Sequence, residues 1–416
     1  MKKAIHFHFC FLLSAITAFI FSACASNKSI TTPDEKAVQE SSFSSSSDYS
    51  AWTTIPWSDS SIRIIGRADY SNSAQVVTSW SGTSYIFGFS GTTVKIHLSA
   101  KGNVFNITID GDTAKTTTLD LTSSSDTLFS IASGLQDGKH YITVYKRTEA
   151  AMGSAVFKGF DILGKASSSA LPAKASKKIE FIGNSITCGY GILASDQYQN
   201  FSYLTEDASK SYASIAAGFL GAEAHLISIS GKGYYRNVDK TTTGTLPESY
   251  DKTTLDGKSS WNFSTWIPDA VVINLGTNDF ASGLPDSTQF TNSAISLVKV
   301  IRTHYPQAQI VLIDGPMLSN EYPHASAADS NLYPLSNASL ASNYVNSNGT
   351  LKSQTVCQRF LNAVQGHFAS NGDRNIYRVS FAQRSLGYGA DWHPSRAQAE
   401  KDGKTLADYF KSKLGW

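Results

Sequence analysis

Charge is scarce in this chain. Only 16% of its 416 residues are Asp, Glu, Lys or Arg, and the 35 basic residues nearly balance the 33 acidic ones. Two of the basic residues, Lys2 and Lys3, lie in a segment read below as a removable leader, which leaves 33 of each sign. A chain with no net field does not gather phosphates, so nucleic acid is a poor partner and a neutral polymer a better one. Cysteine is also rare, with four in all; Cys10 lies in the leader and Cys24 directly follows it. The remaining two, Cys188 and Cys357, cannot staple a small disulfide scaffold. Cys357 shares a helical face with Phe360, Leu361 and Val364, the setting of a buried free thiol; spacing alone does not decide whether it bridges to Cys188. The one close histidine pair, His6 and His8, lies in the leader, and no G-x-x-x-x-G-K-[ST] loop occurs, so neither a metal nor a cofactor is expected. Gly189–Ala194 fits G-x-G-x-x-A. It begins seven residues past an apolar strand, however, which takes the helix N-terminus away from any phosphate.

Length and texture give the organisation. At 416 residues the chain exceeds the usual ~100–200 residues of one domain, and 41% hydrophobic content is enough for sizeable cores. Residues 1–23 read as a signal peptide, with Lys2 and Lys3 ahead of a mostly apolar run from Phe9 to Phe21 that is too short for a ~20-residue membrane span. The run ends in Phe21-Ser22-Ala23-Cys24, which resembles the bacterial lipobox and implies a diacylglycerol on Cys24. An ordinary secretory signal cleaved near Ala25 is the alternative. Residues 24–50 are rich in Ser, Thr, Asp and Glu, the composition of a flexible tether. Residues 51–165 carry short alternating segments, Tyr85–Phe89, Val94–Leu98, Val104–Ile109 and Tyr141–Tyr145. Turn signals at Ser90-Gly91, Asp110-Gly111 and Asp137-Gly138 punctuate them. That texture predicts an all-β sandwich of jelly-roll type. A polar break gives a linker over 166–176.

From 177 to 416 the period changes. Apolar runs at Ile179–Ile182, His225–Ile229, Ala270–Leu275, Gln309–Asp314 and Ile376–Phe381 alternate with helical stretches such as Ser287–His304 and Ser353–Phe368. This predicts an α/β domain with a parallel sheet covered by helices on both faces, whose ligands sit beyond the carboxyl ends of the strands. After those strands stand Gly183-Asn184-Ser185, Ser230-Gly231-Lys232-Gly233, Gly276-Thr277-Asn278-Asp279 and Asp391-Trp392-His393-Pro394. A hydroxyl, an imidazole and hydrogen-bond donors at separate strand ends are the parts acyl transfer requires. Singly each has a bland reading: a turn, a packed histidine, a helix cap. Together they make coincidence a poor explanation.

With FIGNSITCGYG (Phe181–Gly191), SGKGYYRN (Ser230–Asn237), VVINLGTND (Val271–Asp279) and GADWHPS (Gly389–Ser395), the chain resembles the SGNH, or GDSL-like, hydrolases. In finer detail it resembles carbohydrate esterase family two, including YKRTEA (Tyr145–Ala150) late in the sandwich. The resemblance implies an SGNH hydrolase domain over 177–416 that removes acetyl groups from polysaccharides such as acetylated xylan or glucomannan, often at primary 6-hydroxyls, though which hydroxyl is left open. It implies Ser185 as nucleophile and His393 as base, and as oxyanion donors the N–H groups of Ser185 and Gly231 with the amide of Asn278. Gly233 competes with Gly231 for that role. Two departures stand out: Asn184 replaces the Asp of the Gly-Asp-Ser block, and Ala390 stands three before the His, where an Asp is usual. Asp391 is then the candidate third member of a triad if the backbone is extended there, with a Ser–His dyad oriented by a backbone carbonyl as the alternative. Trp392 and Phe280 are candidates for stacking on sugar, and the polar stretch Met317–Leu351 for a rim of the site. The rival expectations are a carbohydrate-binding surface lipoprotein with a degenerate hydrolase domain, and an SGNH lipase or thioesterase.

Overall fold

A computed structural model of the protein describes residues 51–257, 259–320 and 351–416. The leader over 1–23, Cys24, the tether to residue 50 and most of the Met317–Leu351 stretch lie outside the described residues.

The N-terminal part is built from strands β1 (Thr53–Pro56), β2 (Ile62–Ile65), β3 (Ala68–Asp69), β4 (Val76–Thr78), β5 (Ser84–Ser99), β6 (Val104–Ile109), β7 (Thr117–Asp120), β8 (Leu128–Ala132), β9 (Lys139–Lys146) and β10 (Ala155–Ala166). Its organising strand is β5. The first half of β5 pairs with β2 and β9, and β9 leads on to β6 and β7; its second half pairs with β8 and β10, and β10 leads on to β1 and β4. Sequence reading places a turn at Ser90-Gly91 and two strands around it. The structure instead runs one strand through, with a bulge in the register between Leu163 and Gly164. Before the bulge the residues in the N-terminal core cluster are Tyr85, Phe87 and Phe89; after it they are Val94, Ile96 and Leu98, so the inward parity flips as an inserted residue requires. Glycine is needed there: Gly91 has φ +153°, and a Cβ on it would lie 2.3 Å from the Leu163 carbonyl oxygen.

The C-terminal part has five parallel strands, β11 (Lys177–Gly183), β12 (Ala222–Ser228), β13 (Ala270–Asn274), β14 (Gln309–Asp314) and β15 (Ile376–Ser380), ordered β12-β11-β13-β14-β15. Helices α1 (Ser185–Cys188), α2 (Tyr212–Leu220), α3 (Ser287–His304), α4 (Ser353–Ser370) and α5 (Arg396–Lys413) accompany them. Alternate strand residues face opposite cores. Ile182, Val271, Ile273, Ile310 and Leu312 pack with α3 and α4, whereas Ile179, Phe181, Val272, Val311 and Ile313 pack with α2 and α5. Asp286 caps α3 by accepting from the Gln289 N–H at 2.8 Å, and Ser395 caps α5. Cys188 and Cys357 are both free and buried.

The two parts share a core. Trp80 and Ala150 belong to the cluster formed on the α3/α4 face of the parallel sheet, and the Trp80 indole donates to the Thr253 carbonyl at 2.9 Å. Arg67 and Glu180, both fully buried, form an ion pair at 2.9 Å, and Arg67 also donates to the carbonyls of Tyr250 and Lys252. The segment read as a linker follows directly from β10: Ser167 N–H donates to the Gly88 carbonyl at 2.9 Å, and Arg63 to the Pro172 carbonyl at 3.0 Å.

Candidate active site

A parallel sheet brings the carboxyl ends of all its strands to one edge, so residues far apart in sequence meet there. At the end of β11 the chain turns sharply into α1. Asn184 caps this short helix, its side-chain oxygen accepting from the Ile186 N–H at 3.1 Å, and Ser185 becomes the first helical residue. Only 5% of Ser185 is exposed. As the first residue of a helix, it has a backbone N–H with no intrahelical acceptor.

His393 is delivered by a loop after β15 that docks on the chain just past α1. Ala390 N–H donates to the Gly191 carbonyl at 3.0 Å, and a Cβ on Gly389 would strike that same carbonyl oxygen at 2.4 Å. The Gly189-x-Gly191 pattern therefore serves loop packing. His393 Nε2 lies 2.8 Å from Ser185 Oγ, and Nδ1 lies 3.1 Å from the backbone carbonyls of both Ala390 and Asp391. A carbonyl only accepts, so Nδ1 carries the proton and Nε2 presents its lone pair to the serine hydroxyl. The ring is tautomerically set to act as a base. Burial holds its pKa down to about 4 from the ordinary 6.5, with the Arg384 charge acting in the same direction.

The Asp391 carboxylate does not reach the imidazole. Asp391 and Trp392 adopt φ of 48° and 62°, the left-handed region, whereas the triad requires an extended segment. The side chain is thereby turned to accept from the Tyr190 hydroxyl at 2.7 Å and the Phe201 N–H at 3.0 Å. The third member of the constellation is a pair of main-chain carbonyls, and the arrangement is a dyad. His393 itself is extended, at φ −70° and ψ 165°, as the following Pro394 favours. Sequence reasoning passed over Tyr190: its ring stacks on His393 with centroids 4.1 Å apart, and it lies within the quoted FIGNSITCGYG stretch.

The loop after β12 faces the same edge. Gly231 has φ +77°, and its carbonyl accepts from the Val238 N–H at 2.9 Å. The Gly233 N–H is taken up by the Asn237 side chain at 3.3 Å, which leaves Gly231 as the better placed of the two glycines to donate to an oxyanion. Asn278 Nδ2 donates to the Lys232 carbonyl at 2.8 Å, tying the end of β13 to this loop while its amide has a second N–H to offer. Asp279 accepts from the N–H groups of Tyr234, Tyr235 and Arg236; burial still pushes its pKa up to about 6.

A cleft of about 430 Å³ opens over these groups and is lined by Ser185, Asn278, Trp392 and His393, with Tyr198, Val238 and Met317 among its walls. Trp392 packs edge-to-face against Tyr198 and Tyr388. Phe280 does not face the cleft: it is fully buried and packs on Phe290 and Phe360, so it belongs to the core rather than to a sugar platform. Among the described residues one group of three metal-type donors occurs, Glu149, Cys188 and Glu206, all buried below this edge and accompanied by the buried Lys146.

The parallel sheet with Ser, Gly, Asn and His at its strand ends defines a GDSL-like hydrolase. Residues 181–400 match the model of the GDSL-like Lipase/Acylhydrolase family, and residues 64–172 match that of the carbohydrate esterase 2 N-terminal domain. The chain belongs to carbohydrate esterase family two. It is similar to the Cellulase/esterase CelE of Acetivibrio thermocellus, with 33% identity over 354 residues. That alignment covers 84% of this chain and 39% of CelE. It is also similar to an acetylxylan esterase / glucomannan deacetylase of Cellvibrio japonicus, 28% identical over 274 residues, 64% of this chain and 75% of that protein. A solved family two carbohydrate esterase from Clostridium thermocellum, in complex with cellohexaose, superposes with a TM-score of 0.74 at 32% identity. The superposition covers 85% of this chain and 99% of that one.

Two predictions follow from this geometry. Asp391→Asn should retain at least about a tenth of wild-type kcat, because the carbonyls that orient His393 remain. An aspartate in a true triad would cost ~10⁴-fold on the same change, so steady-state kinetics of this variant separate the two arrangements. An imidazole must be neutral to act as a base, and the pKa of His393 is depressed. The acid limb of the kcat/KM profile should therefore stay flat as pH falls from 7 and reach half its plateau near pH 4; a midpoint at the ordinary 6.5 would contradict the desolvation of this partly buried ring.

Proposed function

We propose that this protein is a secreted serine esterase that removes O-acetyl groups from polysaccharides through an acyl-enzyme intermediate. The observation that carries the reading is the 2.8 Å contact between Ser185 Oγ and a His393 whose other nitrogen is committed to backbone carbonyls. Ser185 Oγ attacks the acetyl carbonyl while Nε2 takes its proton, and the N–H groups of Ser185 and Gly231 with the Asn278 amide hold the oxyanion. Collapse of the tetrahedral adduct leaves acetyl-Ser185, and the sugar oxygen departs with the proton from His393. Water, deprotonated by the same imidazole, then releases acetate. The two nearby carbonyls stabilise the imidazolium in place of a carboxylate.

Acetylated xylan and glucomannan are the substrates proposed, supported by the similarity to the acetylxylan esterase / glucomannan deacetylase of Cellvibrio japonicus. Trp392 and Tyr198 offer aromatic faces for a sugar ring at the cleft. Where the sugar has a primary 6-hydroxyl, its ester projects furthest from the chain and reaches a recessed serine most easily. The sandwich is read as a jelly roll, and the segment ending in Cys24 as a lipid anchor followed by a tether that keeps the enzyme at the cell envelope. A degenerate, purely carbohydrate-binding role sits poorly with a hydrogen-bonded Ser185 and His393.

Acetate release from acetylated xylan and glucomannan, measured beside hydrolysis of long-chain esters, tests the activity. Acetate from neither glycan would reject it. Ser185→Ala should fold normally and lose ~10³-fold or more in kcat, and a variant keeping a tenth of the activity would mean that another residue attacks. Cys24→Ser should move the protein from the membrane fraction to the soluble one with its specific activity unchanged. Wild-type protein recovered in the soluble fraction without detergent would refute the anchor.

A further inference from the structure

The end of β9 leaves the sandwich and carries Lys146, Arg147, Thr148 and Glu149 directly beneath the hydrolase sheet edge. Glu149 is 1% exposed, and its Oε2 accepts the N–H of Ser230 at 2.7 Å. Ser230 immediately precedes Gly231, the proposed oxyanion donor. Glu149 is itself held from several sides. Its N–H donates to Glu206 Oε2 at 3.0 Å, and its carbonyl accepts from the buried Lys146 ammonium at 3.0 Å. Next to it, Arg147 binds the carbonyls of Leu204 and Glu206 and accepts from the Ala208 N–H, which pins the segment to the hydrolase part.

The other peptides of the 229–233 loop are fixed from within the hydrolase part, through Val238, Asn237, Asn278 and Ile229. The Ser230 peptide alone among these is gripped by the sandwich. A buried carboxylate is costly to place, and a merely packed loop would take an apolar side chain at that position more readily. A bond of 2.7 Å from a backbone N–H to a carboxyl oxygen is short and directional, so it fixes the plane of the peptide it holds. The next N–H along the chain is that of Gly231, whose aim decides how well it meets an oxyanion.

We propose that Glu149 is a positioning residue for the oxyanion site, supplied to the hydrolase by the N-terminal domain. The proposal rests on the reading of Ser185 as nucleophile and Gly231 as oxyanion donor. It makes the sandwich a contributor to the chemistry rather than a spacer or a sugar-holding module alone. Because an oxyanion exists only in the transition state and the adduct, misaiming its donor lowers kcat and leaves KM in place.

The test uses the full chain with Glu149→Gln, Glu149→Asp and Glu149→Met, reading kcat, KM and thermal midpoint on one acetyl ester. Gln keeps an oxygen at the same reach. Asp draws the carboxylate back by about one 1.5 Å bond, and Met preserves volume without an acceptor of useful strength. Gln should stay within about threefold of wild-type kcat, whereas Asp and Met should lose at least about tenfold with KM within twofold, as loss of aim at an oxyanion donor predicts. Met is the deciding comparison if Asp does not fold. Asp and Met with near wild-type kcat, whatever their thermal midpoints, would overturn the proposal, as would Gln falling as far as Met. An inactive Ser185→Ala beside a fully active Glu149→Met sinks this inference alone, whereas an active Ser185→Ala sinks the reading beneath it.

Discussion

The hydrogen bond between Ser185 Oγ and His393 Nε2 joins residues 208 positions apart, and the loops on both sides of it are arranged to keep it made. A single such bond contributes only ~1 kcal/mol net, far too little to order two loops by itself. The order comes from elsewhere. The parallel register of β11 with its neighbours places Gly183 at the sheet edge, and Asn184 turns the chain so that Ser185 opens α1. The 389–393 segment is then docked against Gly191 through close backbone contacts that a side chain on either glycine would prevent. Ser185 and His393 are thus positioned by main-chain geometry, with little side-chain freedom left to lose.

The seam between the N-terminal β domain and the hydrolase part is rich in buried charge. Arg67 faces Glu180 there, Arg147 lies 3.7 Å from Asp207, and Lys146, Glu149 and Glu206 are all inaccessible. The Arg67 guanidinium also lies over the rings of Tyr250, Trp261 and Phe263. Buried pairs of this kind add little net stability over well-packed apolar groups, but leaving one partner uncompensated costs several kcal/mol. Their effect is to penalise every misdocked arrangement of the two parts. That is a physical reason for the seam to behave as a single register rather than as a hinge.

Much of the hydrolase part was legible from sequence because each strand and helix carries its own period. The five apolar runs fall on β11–β15, and the helical stretch Ser287–His304 coincides with α3. Ser185, Asn278 and His393 line one cleft because each lies beyond the carboxyl end of a strand, and the topology converts that position into proximity. Failures arose where conformation overrides local chemistry. Ser90-Gly91 reads as a turn, but the glycine permits a bulge in one continuous strand. Asp391 invites a triad, but left-handed dihedrals at 391 and 392 turn its side chain elsewhere. Phe280 follows the Asn278 block and yet points into the core, since nothing in sequence distinguishes the two faces of a loop. Glu149 was invisible as a neighbour of Ser230, because a contact across 81 residues and two parts of the fold leaves no local trace.

The orientation of His393 by main-chain carbonyls has a consequence for how this site is inherited. A carbonyl is present whatever codon stands at positions 390 and 391, so no single substitution there deletes the group that sets the imidazole tautomer. What selection can see is the backbone conformation. Left-handed dihedrals are tolerated by Gly, Asn and Asp and resisted by β-branched side chains. The side chain at 391 is accordingly free to be traded for other uses among residues of that kind, while Val, Ile or Thr would disturb the base without ever having touched it.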